Sequence, residues 1–170
     1  LRAFVAHWKN PRVQLQIEPG PGVPKTLVER AKQMKLDALR ESKRQKDANL
    51  IYDEVWCVHD VDDHPGLDEA RVTARDNDIR LAISNPCFEL WLLLHFRDDP
   101  GPQERAGLFR LLKPFVPDYD KKIRFSEMVD GYEQAVVRAA RLERLAVEEG
   151  MEGRNPTTGV WRLTESIRGE

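Results

Sequence analysis

The sequence predicts an α/β protein whose mainly parallel sheet is flanked by helices. Three observations carry that expectation. Glu54 to Asp60 (EVWCVHD) is apolar until it ends in acid, the pattern of a central parallel strand buried on both faces. Ile79 to Ser84 (IRLAIS) reads as a second short strand. Between them, Pro65 to Asp76 reads as a helix with an imperfect apolar stripe of Leu67, Ala70, Val72 and Ala74. Strands that alternate with helices argue for such a sheet.

The other elements follow in order. Leu1 to Lys9 reads as the end of an amphipathic helix, stopped by Asn10 and Pro11. Val13, Leu15 and Ile17 alternate with Gln14, Gln16 and Glu18, as in a strand with one wet face. Pro19 to Pro24 is a loop, and Pro24 opens a helix at the position where its missing N–H costs nothing. Leu27, Ala31, Met34 and Ala38 share one face of that helix, which fades in the charged stretch Arg40 to Asp47, a solvated end. Asn85-Pro86 breaks the chain after the second strand, and Cys87 to Phe96 is a short, very apolar helix. Further helices are expected over Arg105 to Leu112, Phe125 to Glu149 and Thr158 to Ile167. Residues 1–170 read as a single domain, with an α/β core over 1–98 and a helical cap over 99–170.

With 41% hydrophobic and 33% charged residues, the chain has the composition of a globular protein. No window approaches the roughly 18 apolar residues of a membrane span, and no signal peptide is evident. The net charge of −2 excludes only broad nonspecific affinity for nucleic acid, because a basic groove and an acidic site cancel in the sum. Cys57 and Cys87 sit in apolar runs and read as reduced, buried thiols of a cytoplasmic protein.

The segment His59-Asp60-Val61-Asp62-Asp63-His64 carries the most chemistry. It follows an apolar strand at the edge where open parallel sheets bind ligands. Asp60 and Asp62, two apart in extended backbone, project to the same side and repel unless a hard cation lies between them. Mg²⁺ takes such ligands, commonly one or two carboxylates with water and phosphate. The same acids also suit a turn or a helix N-cap. On the metal reading, Asp60→Asn relieves the repulsion and leaves metal-free stability unchanged or slightly raised.

Glu89, between Phe88 and Leu90, is costly to bury unless paired or metal-bound. It reads as a third acidic ligand or a group that orients a catalytic water, or else as the partner of a buried arginine or a backbone cap. Ser84 and Asn85 stand at a strand end, placed to bind phosphate, although Asn85 also suits a helix cap. Lys121 and Lys122 are candidates for neutralising a scissile phosphate, or are solvated loop lysines. Tyr119 stacks a base or covers the core. Asn155 to Gly159 reads as a turn and helix N-cap.

Val55 to Asp63 (VWCVHDVDD), Leu81 to Phe96 (LAISNPCFELWLLLHF), Tyr119-Asp120-Lys121 and Asn155 to Val160 (NPTTGV) resemble, in order and spacing, the RloB-like family. The resemblance covers nearly the whole chain, and its Ser-Asn-Pro-Cys-Phe-Glu-Leu-Trp block is far more specific than an isolated Asp-x-Asp. It implies a TOPRIM-like, Rossmann-like sheet in which Asp60 and Asp62 hold Mg²⁺ or Mn²⁺. It also implies a place in restriction and abortive-infection loci beside an ATPase partner, with DNA or RNA, including tRNA, as the substrates of related nucleases. The family's opening strand and its Glu-Gly-x-x-Thr-Glu-like turn do not occur here, so the sequence is expected to start inside the domain.

The leading expectation is therefore Mg²⁺-dependent phosphodiester hydrolysis by Asp60, Asp62, Glu89 and Lys121, with Ser84, Asn85 and Lys122 on the nucleic acid. The alternative is a non-catalytic sensor or scaffold that binds nucleic acid or nucleotide and docks on the ATPase. Phosphoryl transfer to an aspartate is a third class, disfavoured by the missing nucleophile-motif context.

Overall fold

The computed structural model describes residues 1–13, 23–61, 66–117, 119 and 124–169. Among them lie α1 (Arg2–Trp8), α2 (Pro24–Gln45), β1 (Trp56–Asp60), α3 (Leu67–Asp76), β2 (Arg80–Asn85), α4 (Glu89–Leu93), α5 (Arg105–Leu112), α6 (Tyr132–Glu148), β3 (Thr157–Thr158) and α7 (Val160–Arg168). The strands form one sheet in the order β1-β2-β3. β2 and β3 run antiparallel, with Ser84 opposite Thr158 and Asn85 opposite Thr157. The α/β class is as predicted, but the described strands make a small mixed sheet rather than a mainly parallel one. Within residues 99–170, expected to be a helical cap, the segment expected to be a turn and helix N-cap contains β3, whose two residues are too few to show a period in sequence. The strand expected over Val13 to Ile17 lies almost wholly outside the described residues.

The chain divides into two compact units, one of Ile17–His59 with Asp63–Leu81, the other of Leu1–Gln16, Asp60–Asp62 and Ala82–Glu170. In the first unit, Pro24 opens α2 at its first turn. Rather than fading after Arg40, this helix continues through its charged end. Asp37–Arg40 and Glu41–Arg44 pairs, three residues apart, support it there. It stops at Lys46, which is left-handed at φ 53° and donates its N–H to the Ser42 carbonyl. Val28 of α2, Cys57 of β1, Ala70 and Ala74 of α3, and Ile79 form the unit's core, with Leu27, Ala31, Val55 and Leu81 against it. Val72, the misfit in the predicted stripe, is exposed. Lys35 Nζ bonds the Asn77 and Asp78 carbonyls and the Asp78 carboxylate, which satisfies the turn where Asp78 takes a φ of 51°.

The second unit is built on aromatic rings. Phe4 of α1 lies 4.4 Å from Phe125 and 6.3 Å from both Trp91 and Tyr132, measured between ring centroids. The α4 segment is buried at every residue, Glu89 included. Phe125–Glu127 and Val129–Gly131 are 3₁₀ turns, so α6 starts at Tyr132 and not at Phe125 as the sequence suggests. It starts where Gly131 brings the backbone against the segment just after α4: a Cβ on Gly131 would stand 2.2 Å from the His95 carbonyl oxygen. Cys57 and Cys87 are free, buried thiols, as expected. Among the described residues, no helix is long and apolar enough to cross a membrane.

Two predictions follow from this packing. Gly131→Ala should cost about 1–3 kcal/mol in a urea denaturation experiment, because the obstacle is backbone. Gly107→Ala in α5 should stay within about 0.5 kcal/mol, since the atom in its way ends the flexible Gln103 side chain. Equal losses at the two sites would refute the contact argument.

Burial holds the His95 imidazole down to about 4 from an ordinary 6.5. Burial, and secondarily Arg71, does the same to His59, also to about 4. The unfolded chain therefore binds protons that the folded chain refuses. This stability is complete above pH 6.5 and is lost as pH falls from there towards 4. The slope for the well-buried His95 is at most about 1.4 kcal/mol per pH unit. His95→Phe should flatten the stability profile between pH 6.5 and 5, where few carboxylates titrate; an unchanged slope would remove His95 from the account.

Candidate active site

The site is assembled from one carboxylate outward. Asp60 closes β1, and its Oδ1 accepts a hydrogen bond of 2.8 Å from the backbone N–H of Phe88, the residue before α4. Its Oδ2 accepts one of 3.0 Å from Arg105 Nη2, at the first position of α5. Both bonds are charge-assisted and so among the stronger kind. Asp60, the described acid of this segment, thus serves the start of α4, whereas Asp62 and Asp63 lie outside the described residues.

Glu89, the first residue of α4, is 5% exposed. Its Oε1 accepts a 3.0 Å hydrogen bond from the Tyr119 hydroxyl, and its Oε2 is buried without a hydrogen-bond partner among the described residues. The predicted alternative of a buried arginine partner is not what the structure contains; the partner is a phenol. Burial, then the Glu89 charge, pushes Tyr119 well above the ordinary tyrosine range. The Cys87 thiol is pushed up to about 12, again by burial first and by its hydrogen bond to Glu89 second. Both groups therefore remain protonated donors. Both also feel the Asp60 charge, so Asp60 and Glu89 act on one small region.

Ser84 and Asn85 are placed at the end of β2 as expected, but their groups are engaged inside the fold. Ser84 is buried, with Oγ 2.8 Å from Thr158 Oγ1 across the antiparallel pair. Its carbonyl accepts the Val61 N–H at 2.8 Å, which fixes the backbone immediately after Asp60. Asn85 Nδ2 donates to the Gly153 carbonyl at 2.8 Å. In the Asn-Pro-Thr-Thr segment, Asn155 Oδ1 accepts from Gln103 N at 3.1 Å, and its Nδ2 donates to Gln103 O at 2.6 Å. That reciprocal pair mounts the segment leading into Arg105. Thr158 Oγ1 accepts from Val160 N at 3.4 Å, a long contact at the start of α7 that matches the capping expected there.

Asp62, Lys121 and Lys122 lie outside the described residues. The cation that the structure does place beside the acids, Arg105, is one that sequence reasoning missed. Its sequence carries one faint signal. A cation at the first helical position works against the helix dipole, and an acid is the more usual choice there.

Among the described residues, no group of three His, Cys, Asp or Glu side chains is gathered to hold a metal ion. The donor set nevertheless fits a hard cation in kind. Asp60 and Glu89 offer carboxylate oxygens, and Glu89 Oε2 is an orphaned buried acceptor. Mg²⁺ commonly uses one or two carboxylates and completes its shell with water and phosphate.

No curated protein and no solved structure matches the chain. A family profile does, over residues 2–167, and it covers every group of the site just described. The chain belongs to the RloB-like protein family.

Proposed function

We propose that this chain is a divalent-metal-dependent nuclease-type domain that hydrolyses phosphodiester bonds in RNA or DNA. The observation that carries the reading is Glu89: a carboxylate 5% exposed, whose Oε2 has no hydrogen-bond partner among the described residues, in the same region as Asp60. A buried acceptor without a partner costs about 1–3 kcal/mol or more, and a cation there would remove the penalty. Asp60 and Glu89, with Asp62 two residues beyond Asp60, would hold Mg²⁺ or Mn²⁺. When bound, the ion would polarise the phosphate and make an attacking water more acidic.

The chain's own groups do the rest. Tyr119 holds Glu89 in one orientation by donating to Oε1. The Phe88 N–H fixes the Asp60 carboxylate. Lys121 would supply positive charge against the scissile phosphate, and Lys122 would support the nucleic acid, while Asn85 is held by the Gly153 carbonyl. By family resemblance, the protein would be an effector of a prokaryotic anti-phage system in the cytoplasm. It would work with an ATPase from the same locus and take tRNA among its substrates; self-association into a homo-oligomer is a separate proposal that does not rest on the resemblance.

The second reading, a non-catalytic sensor or scaffold on the ATPase, is favoured by one observation. Both Asp60 oxygens already have protein partners. Incubation of the full chain with tRNA, other RNA and plasmid DNA, with and without Mg²⁺ or Mn²⁺, separates the two.

Glu89→Gln should reduce metal-dependent cleavage by about 100-fold or more and abolish the rise in melting temperature on adding metal. Cleavage equal to wild type would remove Glu89 from the mechanism. Asp60→Asn should also abolish cleavage, yet the Arg105 pair reverses the stability expected from repulsion alone. An amide keeps the Phe88 hydrogen bond but weakens the ion pair. Metal-free stability should therefore fall, by up to about 1 kcal/mol for a pair this accessible, and a rise would show that repulsion dominates.

A further inference from the structure

The geometry points to Phe115 and Phe96 as a stacking platform for an unpaired base, at the far end of the two helices that start from Asp60. The inference rests on the nucleic-acid reading above and adds the substrate class, a single strand rather than a duplex.

The rings of Phe96 and Phe115 lie nearly parallel, with 8° between their planes and 5.0 Å between their centroids. In the aromatic core around Phe4 the rings meet tilted or edge-on instead. Phe115 is 44% exposed, so the stack presents a flat apolar ring to water. A further ring extends a stack of this kind. Every base has such a face, so the contact tolerates any sequence. The backbone holds both rings in advance. The Phe96 N–H donates to the Leu93 carbonyl at 2.9 Å, and the Phe115 N–H to the Leu112 carbonyl at 3.0 Å. Little ordering is left for a ligand to impose.

Charge selects the occupant. Arg97 follows Phe96 directly, and Arg110 and Lys113 share a face three residues apart at the end of α5. All three are exposed, and none has an acidic partner among the described residues. Asp98, the next acid after Phe96, is bound to Arg138 at 2.7 Å. Unpaired cations around an aromatic face suit a base and the phosphates that flank it. An apolar protein surface would leave those charges without partners. Placement ties the pair to the site. Asp60 holds the Phe88 N–H at the start of α4 and Arg105 at the start of α5, and the chain beyond both helices meets at the stack. At about 1.5 Å per residue, Phe96 stands about 10 Å beyond Glu89 and Phe115 about 15 Å beyond Arg105. That span is about three to four nucleotides of a stacked strand, at roughly 3.4 Å each. A duplex keeps its base faces inside its own stack, so only an unpaired base reaches the ring.

The test is fluorescence anisotropy of the full chain with labelled single-stranded RNA, single-stranded DNA and the duplex of the same sequence, without divalent metal so that cleavage does not intrude. Thermal melts check the folding of every variant. Phe115→Ala should weaken binding of the single strands by about 5- to 100-fold and leave duplex binding unchanged. Phe115→Trp should keep the single-strand affinity, which guards against an effect of misfolding. Lys113→Ala and Arg97→Ala should each lower the slope of log affinity against log salt by about 0.7. Wild-type single-strand binding by Phe115→Ala overturns the inference and leaves this face to a protein partner. An equal loss on the duplex overturns it too, because stacking on an unpaired base would not be the cause. If Phe115→Ala binds and cleaves like wild type while Glu89→Gln does not cleave, the inference fails and the nuclease reading stands. If Phe115 governs single-strand binding but the wild type cleaves nothing with Mg²⁺ or Mn²⁺, the platform stands and the nuclease reading falls. If the wild type neither binds nor cleaves, both fall.

Discussion

The double engagement of the Asp60 carboxylate is the interaction on which the second unit's polar architecture depends. One oxygen holds the backbone at the start of α4, and the other holds the first residue of α5. A neutral side chain could make one of these bonds well, but not both with full charge. The carboxylate thereby ties the end of β1 to two helices distant in sequence. Glu89 is delivered to the same region because it is the residue immediately after the tethered Phe88 N–H.

The polar groups around this centre divide by what they hold. Ser84 and Thr158 satisfy each other inside the sheet, and Asn155 satisfies Gln103. Tyr119 and Cys87 stay protonated and face the acids as neutral donors. In such a low-dielectric setting a satisfied network is rigid, and a group left over is costly. Glu89 Oε2 is such a leftover group within the network. Among the described residues, Arg154 Nε, Trp91 Nε1, His95 Nε2 and both ring nitrogens of His59 are also buried without partners; the first belongs to an ion-paired arginine and the next two to the aromatic core.

Local chemistry was legible in the sequence, and long-range pairing was not. The apolar run into Asp60 gave β1, and the alternation of elements gave the α/β class. Glu89 could be singled out because an acid inside FELWLLL must be explained by something. Arg105 gave only the faint signal of a cation at a helix start, and nothing in its neighbours announces a partner in another element, at Asp60. β3 escaped because it is a two-residue strand whose side chains are both buried by hydroxyl bonds rather than by an apolar pattern. The charged end of α2 looked like a fading helix because its support comes from pairs three residues apart, which hydrophobic periodicity does not register.

The mounting of Arg105 on Asn155 has a consequence for the order of events in synthesis. A chain emerging from the ribosome presents Asp60 and Glu89 long before Asn155. Until that residue arrives, Gln103 lacks its reciprocal bonds, and the segment leading into Arg105 lacks that mount. Ser84 likewise waits for Thr158. A nascent chain would hold its acids without the geometry that organises them, so any hydrolytic capacity would arise only after translation of the later segment. On the proposed reading as a nuclease, that delay would protect the RNA of the cell that makes the protein.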